Sequence, residues 1–160
     1  MRLVSFFSLL LTLFSSYGYG DTQSTAPLGY WVTYSRKDPS SVIEIKQSDS
    51  GLLYGVVVAG LYHGENHPEA ICTLCSDETW TGVYGVKKDE PVLGKSVLWD
   101  FQHNEDAWRD GKILRIKSGS IYEASFSLSD DDSILNLTVH AGFFKKTLTW
   151  SSIDLEQLKK

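Results

Sequence analysis

From Tyr30 onward, apolar and polar residues alternate in short runs, and clusters of turn-forming residues interrupt them at Arg36–Ser40, Ser48–Gly51, Lys87–Glu90, Gln102–Asp106, Lys117–Ser120 and Ser129–Ser133. Each cluster supplies Gly, Pro, Asn, Asp or Ser, residues that let the backbone reverse. Apolar residues do not repeat at helical spacing over any long stretch, so the pattern predicts a chain of β-strands. The predicted strands are Tyr30–Ser35, Ser41–Gln47, Leu52–Gly60, Thr79–Val86, Val92–Phe101, Ala107–Ile116, Ile121–Leu128, Ile134–His140 and Phe144–Trp150. Only Ser152–Lys160 reads as helical, and it is long enough for no more than a terminal turn or two.

Period two assigns faces. Tyr122, Ala124, Phe126 and Leu128 oppose Glu123, Ser125 and Ser127, and Leu135, Leu137 and Val139 oppose Asn136, Thr138 and His140. One-sided strands joined consecutively need one enclosed core and favour curling into a barrel, which also removes exposed edges. The expected fold is therefore all-β: an antiparallel up-and-down barrel of about eight strands with a short C-terminal helical turn.

The first residues differ in kind. Arg2 precedes an apolar run from Leu3 to Phe14 that is too short to span a bilayer, and Gly18 and Gly20 bracket Tyr19 before Asp21. This reads as a signal peptide over residues 1–20, followed by a barrel domain over 27–152 and a tail over 153–160. The expected location is the periplasm or the extracellular medium, with no transmembrane segment once the signal is removed. About 140 residues remain, enough for one core and too few for two.

The net charge of −5 argues against nucleic acid as a partner, because phosphate binding draws its affinity from clustered Lys and Arg. Adjacent basic pairs such as Lys87-Lys88, Lys145-Lys146 and Lys159-Lys160 are scattered along the chain rather than clustered. Candidate chemistry concentrates in Leu61–Glu78, which holds His63, Glu65, His67, Glu69, Cys72 and Cys75. In an exported chain, its only two cysteines are expected to form a disulfide that pins a loop. Two alternatives use the same residues: a Cys-x-x-Cys redox pair, which lacks the usual strand-to-helix setting, and a zinc site of His63, His67, Cys72 and Cys75. Asp130–Asp132 lacks the alternating oxygen ligands of a calcium loop and reads as a hairpin tip. His103 and His140 sit in no nucleophile setting, and there is no phosphate-cradling loop, so no catalytic residue and no cofactor is assigned.

Several motifs occur in a familiar order: Gly29-Tyr30-Trp31, Gly51-Leu52-Leu53-Tyr54-Gly55-Val56-Val57, Cys72-Thr73-Leu74-Cys75, Pro91-Val92-Leu93-Gly94, Trp108 with Gly111-Lys112-Ile113, Ser118-Gly119 with Tyr122, and Thr147-Leu148-Thr149-Trp150. In this the mature chain resembles the bacterial exported domain-of-unknown-function family 2147. It departs from that family's pattern at Arg115-Ile116, where Asp-Pro is usual, and at Lys145-Lys146, where Gly-Arg is usual. The resemblance implies an envelope location and a lipocalin-like barrel, with Trp31 and Trp150 closing its floor. It implies no activity.

An eight-stranded barrel is either filled by its own side chains or just wide enough for one small molecule. The expected function is binding of a small hydrophobic or lipid-like ligand, with Trp31, Tyr54, Trp99, Phe101, Tyr122, Phe126 and Trp150 as candidate lining. The alternatives are a metal or thiol-redox protein using His63–Cys75, and a ligand-free envelope protein that interacts through exposed aromatics such as Phe143 and Phe144.

Overall fold

The computed structural model describes residues 26–62, 65–66, 70–76, 84–105 and 107–158. Strands β1 (Gly29–Ser35), β2 (Asp38–Gln47), β3 (Leu53–Tyr62), β5 (Ser96–Asn104), β6 (Ala107–Arg115), β7 (Ser120–Leu128), β8 (Ile134–Ala141) and β9 (Phe144–Ile153) pair antiparallel in the order β2-β1-β9-β8-β7-β6-β5-β3. Pairing of β2 with β3 closes this row into an eight-stranded barrel. The short β4 (Glu65–Asn66) folds back on the end of β3, and α1 (Leu155–Leu158) follows the last strand. Closure pairs each of the eight strands on both sides over at least part of its length.

Eight of the nine sequence-predicted strands recur with shifted ends. The stretch expected as Val92–Phe101 starts only at Ser96, because Lys95 donates its backbone N–H to the Val92 carbonyl and Gly94 donates to Val57, making a turn there. Of the expected strand Thr79–Val86, residues 79–83 lie outside the described residues, and Tyr84–Val86 runs as irregular backbone.

Two aspartates reset the alternation of neighbouring strands. Asp100 on β5 and Asp110 on β6 have φ of 63° and 58°, a left-handed conformation that Asp tolerates better than most residues. Each switches the face of the residues that follow. Trp99 pairs with the exposed Lys112 on the outer face of the sheet and is buried there with Tyr84 stacked on it, whereas Phe101 pairs with the buried Leu53 and points inward.

The turns sort onto two ends. One end, here the floor, carries Ser48–Leu52, Glu105, Ser129–Ser133 and the chain on either side of the barrel at Ala26–Leu28 and Asp154. The other, the mouth, carries Arg36–Lys37, Ile116–Gly119, Gly142–Phe143 and the long connection leaving β3. Between β1 and β9 the ladder comprises only Tyr30–Val32 against Ser151–Ile153, at the floor end of the seam.

Candidate functional site

The floor half of the barrel is packed. Trp31, Leu53, Phe101, Trp108, Phe126, Leu135, Leu137 and Trp150 are all buried in one cluster. Trp31 is fixed further by donating its indole N–H to the Pro27 carbonyl at 2.9 Å. The rings of Phe101 and Phe126 lie 4.4 Å apart, and Trp108 stands 6.4 Å beyond Phe126. Phe101 lies over Gly111, where an added Cβ would fall 2.3 Å from two ring carbons. These rings crowd one another as side chains do in a close-packed core.

The mouth half is different. Register carries the inward face upward through Ile113 opposite Tyr122, Ala124 opposite Val139 and Leu137 opposite Leu148. Ile113, Tyr122, Val139 and Leu148 are only half-buried, and Ala124 between them is small. Above them, the same face ends at Arg115, opposite Ser120, and at Lys146, opposite Val139; both cations are exposed. Across the barrel, Thr33 and Ser41 share a hydroxyl hydrogen bond of 2.7 Å on the face of Trp31 and Ile43. Hydrogen bonding to Ser120 and then to Arg115 holds the Tyr122 phenol below the ordinary tyrosine pKa. The arrangement is an apolar wall under a rim of hydroxyl and cationic groups.

A flap braces one side of this mouth. Cys72 and Cys75 are joined in a disulfide with Cα atoms 5.4 Å apart, and both are buried. Cys72 donates its backbone N–H to Glu90, Asp89 donates to Cys72, and Val92 donates to Ala70, so residues 70–72 and 89–92 form a small ladder. Glu90 accepts from the Lys87 backbone N–H and from Lys95, each at 3.1 Å, and the first of these contacts leads in lowering its pKa. The loop abuts the β6–β7 turn so closely that a Cβ on Gly119 would fall 1.9 Å from the Leu74 carbonyl oxygen, and Gly119 has φ +66°.

The seven aromatic residues proposed from sequence as lining therefore separate into three places. Trp31, Phe101, Phe126 and Trp150 belong to the packed floor, and Tyr122 belongs to the mouth. Tyr54 and Trp99 face outward: Tyr54 pairs with the exposed Lys46, and the Tyr84 ring sits 5.7 Å from Tyr54 and stacks on Trp99 at 6.4 Å. With Gln47, Ser48, Asp49, Val56, Gly94 and Ser96, Tyr54 and Tyr84 line an outer groove of about 460 Å³. Sequence reasoning missed Ile113, Val139 and Leu148 as mouth residues. Period two did put Val139 on the inner face, but ring size drew attention to the floor.

Both sulfurs of the suggested zinc set are taken up in the disulfide, and His63, His67 and Glu69 lie outside the described residues. Among the described residues no cluster of three or more His, Cys, Asp or Glu is placed to hold a metal ion.

A family described as "uncharacterized protein conserved in bacteria", domain-of-unknown-function family 2147, matches residues 29–152. The chain belongs to this family. Comparison with curated proteins finds no match. Among solved structures, the family 2147 chain is similar to protein HP1028 of Helicobacter pylori, described as belonging to the lipocalin family. The TM-score is 0.67 at 17% identity, over 85% of this chain and 88% of that one. At that identity the likeness establishes a lipocalin-like barrel and nothing about ligand.

Proposed function

We propose that this protein is an exported binding module that holds a small amphipathic molecule in the mouth half of its barrel. The observation that carries the reading is the split of the inward face: rings fill the floor, while Ile113, Tyr122, Val139 and Leu148 stay half-buried around Ala124. An apolar wall with few orienting polar groups suits a hydrocarbon chain. Arg115 and Lys146 at the rim, with the Tyr122 hydroxyl below Arg115, suit an anionic head, since charge-assisted hydrogen bonds to Arg are the strong ones. Export is supported by the short apolar run after Arg2, by the disulfide and by membership of a bacterial family. Among the described residues no helix is long and apolar enough to cross a membrane.

The test is displacement of a fluorescent fatty acid by unlabelled fatty acids of increasing chain length. Micromolar binding is expected, weakened by Val139→Trp, which fills the mouth, and by Arg115→Gln. Binding unaffected by Val139→Trp would place the ligand elsewhere. No binding of any apolar acid, together with an unchanged unfolding midpoint in its presence, would end the carrier reading.

A further inference from the structure

The topology separates charge along the barrel axis although the chain as a whole is acidic. Every described floor turn carries acid: Asp49 after β2, Glu105 after β5, Asp130–Asp132 after β7, and Asp154 and Glu156 after β9. These turns hold no Lys or Arg. The hairpin turns at the mouth are mainly cationic, with Arg36 and Lys37 beside Asp38 after β1, Arg115 and Lys117 around the end of β6, and Lys145 and Lys146 at the start of β9, while the connection leaving β3 adds Lys87 and Lys88 alongside Asp89 and Glu90. Arg36 and Lys117, from different hairpins, line one groove of about 470 Å³ together with Asp38, so two cations and one carboxylate converge there.

The mouth also carries the most exposed rings of the described residues. Phe143 and Phe144 form the tip of the β8–β9 hairpin and are 105% and 80% exposed. Leu74, 63% exposed, adds a second apolar knob on the disulfide loop, whose backbone abuts Gly119 in the neighbouring turn. Neither ring packs on the core, so burial within this fold does not account for them.

We infer that the mouth end docks on an anionic phospholipid bilayer, with Phe143 and Phe144 inserted at the headgroup level and Lys145, Lys146, Lys117 and Arg36 against the lipid phosphates. Aromatic side chains flanked by lysines are suited to that interface, because rings gain from partial burial while the cations stay with the headgroups. The acidic floor, held at the far end of the barrel, is repelled by the same surface, so the field orients the molecule as well as attracting it. A second protein copy fits less well, since two basic mouths brought together would repel each other. The inference does not depend on the barrel holding a ligand.

Flotation of the folded protein with vesicles of phosphatidylcholine, with and without phosphatidylglycerol, tests it. Binding is expected only to the anionic vesicles and is expected to fall with salt over the range where the Debye length shortens. The double variant Phe143→Ser/Phe144→Ser should weaken partitioning at least about tenfold, and Lys145→Gln and Lys146→Gln about fivefold each. Asp130→Asn at the floor should not weaken it. All of these positions are exposed, so the variants should keep the wild-type tryptophan fluorescence and unfolding midpoint. No partitioning of the wild type at low salt, or equal partitioning of the Phe143→Ser/Phe144→Ser variant, overturns the inference. So does a dimer in sedimentation that this variant dissolves while vesicles are ignored, because a second copy would then cover the rings.

Discussion

Replacing Gly111 by alanine tests how the floor is packed. The new methyl carbon would sit 2.3 Å from two carbons of the Phe101 ring and 2.4 Å from a third, against an ordinary carbon–carbon contact of about 3.5–4.0 Å. The ring would have to retreat by more than about 1 Å, and it cannot do so freely, because Phe101 is fully buried and Phe126 stands 4.4 Å away. Overpacking of this kind costs about 1–3 kcal/mol. Gly111 is not in a left-handed conformation, so alanine also removes unfolded-state entropy and returns about 0.4–1 kcal/mol. The net expectation is a loss of about 1–2 kcal/mol. With a urea slope of roughly 1–3 kcal/mol per molar, the unfolding midpoint should fall by about 1 M. Tryptophan fluorescence in a urea titration reads this directly. In a Phe101→Leu background the ring is gone, so Gly111→Ala should change sign and stabilise by a few tenths of a kcal/mol or more. An unchanged or raised midpoint in the single variant, or the same loss in both backgrounds, would show that Phe101 does not lie over Gly111.

Thiol labelling of the denatured, unreduced protein should find neither cysteine free. Reducing the four-residue ring should cost about 2 kcal/mol on the chain-entropy account and raise hydrogen exchange at residues 70–76 and 88–92, with the barrel ladders still protected. Gly119→Ala should release the same flap, because the new methyl meets the Leu74 carbonyl in a backbone conformation unfavourable to alanine, and raised exchange there without loss of the fold would report it. Hydrogen bonds from Ser129, Ser133 and the Ser133 backbone pull the Asp131 carboxyl down to about 2. This folded-state pKa lies below the unfolded value, so the turn's contribution is complete above about pH 4 and is lost as pH falls through about 2. An NMR titration in which Asp131 stays ionised at pH 3 would agree, and one with an ordinary midpoint would not. Amino-terminal sequencing of the exported protein should begin at or near Asp21, and recovery of Met1 would remove the basis for export.

Local rules sufficed for much of the fold. Alternation in Ile121–Leu128 and Ile134–His140 assigned the inner face correctly, since β7 and β8 run without a bulge between Glu123 and Leu128 and every second residue stays on one side. Turn residues located hairpins for a related reason: Gly51 and Gly119 stand at positive φ, where other residues are strained. The pairing of Cys72 with Cys75 followed from their number and from the expected compartment. Period two failed at Trp99 and Phe101, which share a face in an unbroken strand. The left-handed Asp100 puts them on opposite sides of the wall, and nothing in the alternation of Ser96–Asn104 announces it. Which residues fill the barrel and which leave room was likewise not a local property. Phe101 fits because Gly111, on the neighbouring strand, has no side chain to displace it, while Ile113, Val139 and Leu148 stay half-buried because register brings them together around Ala124 at the mouth. The segregation of basic and acidic turns was present residue by residue in a chain of net charge −5, but it became a polarity only when alternate turns were folded to opposite ends of one barrel. Composition averages charge over the chain, whereas a partner surface meets only the end that faces it.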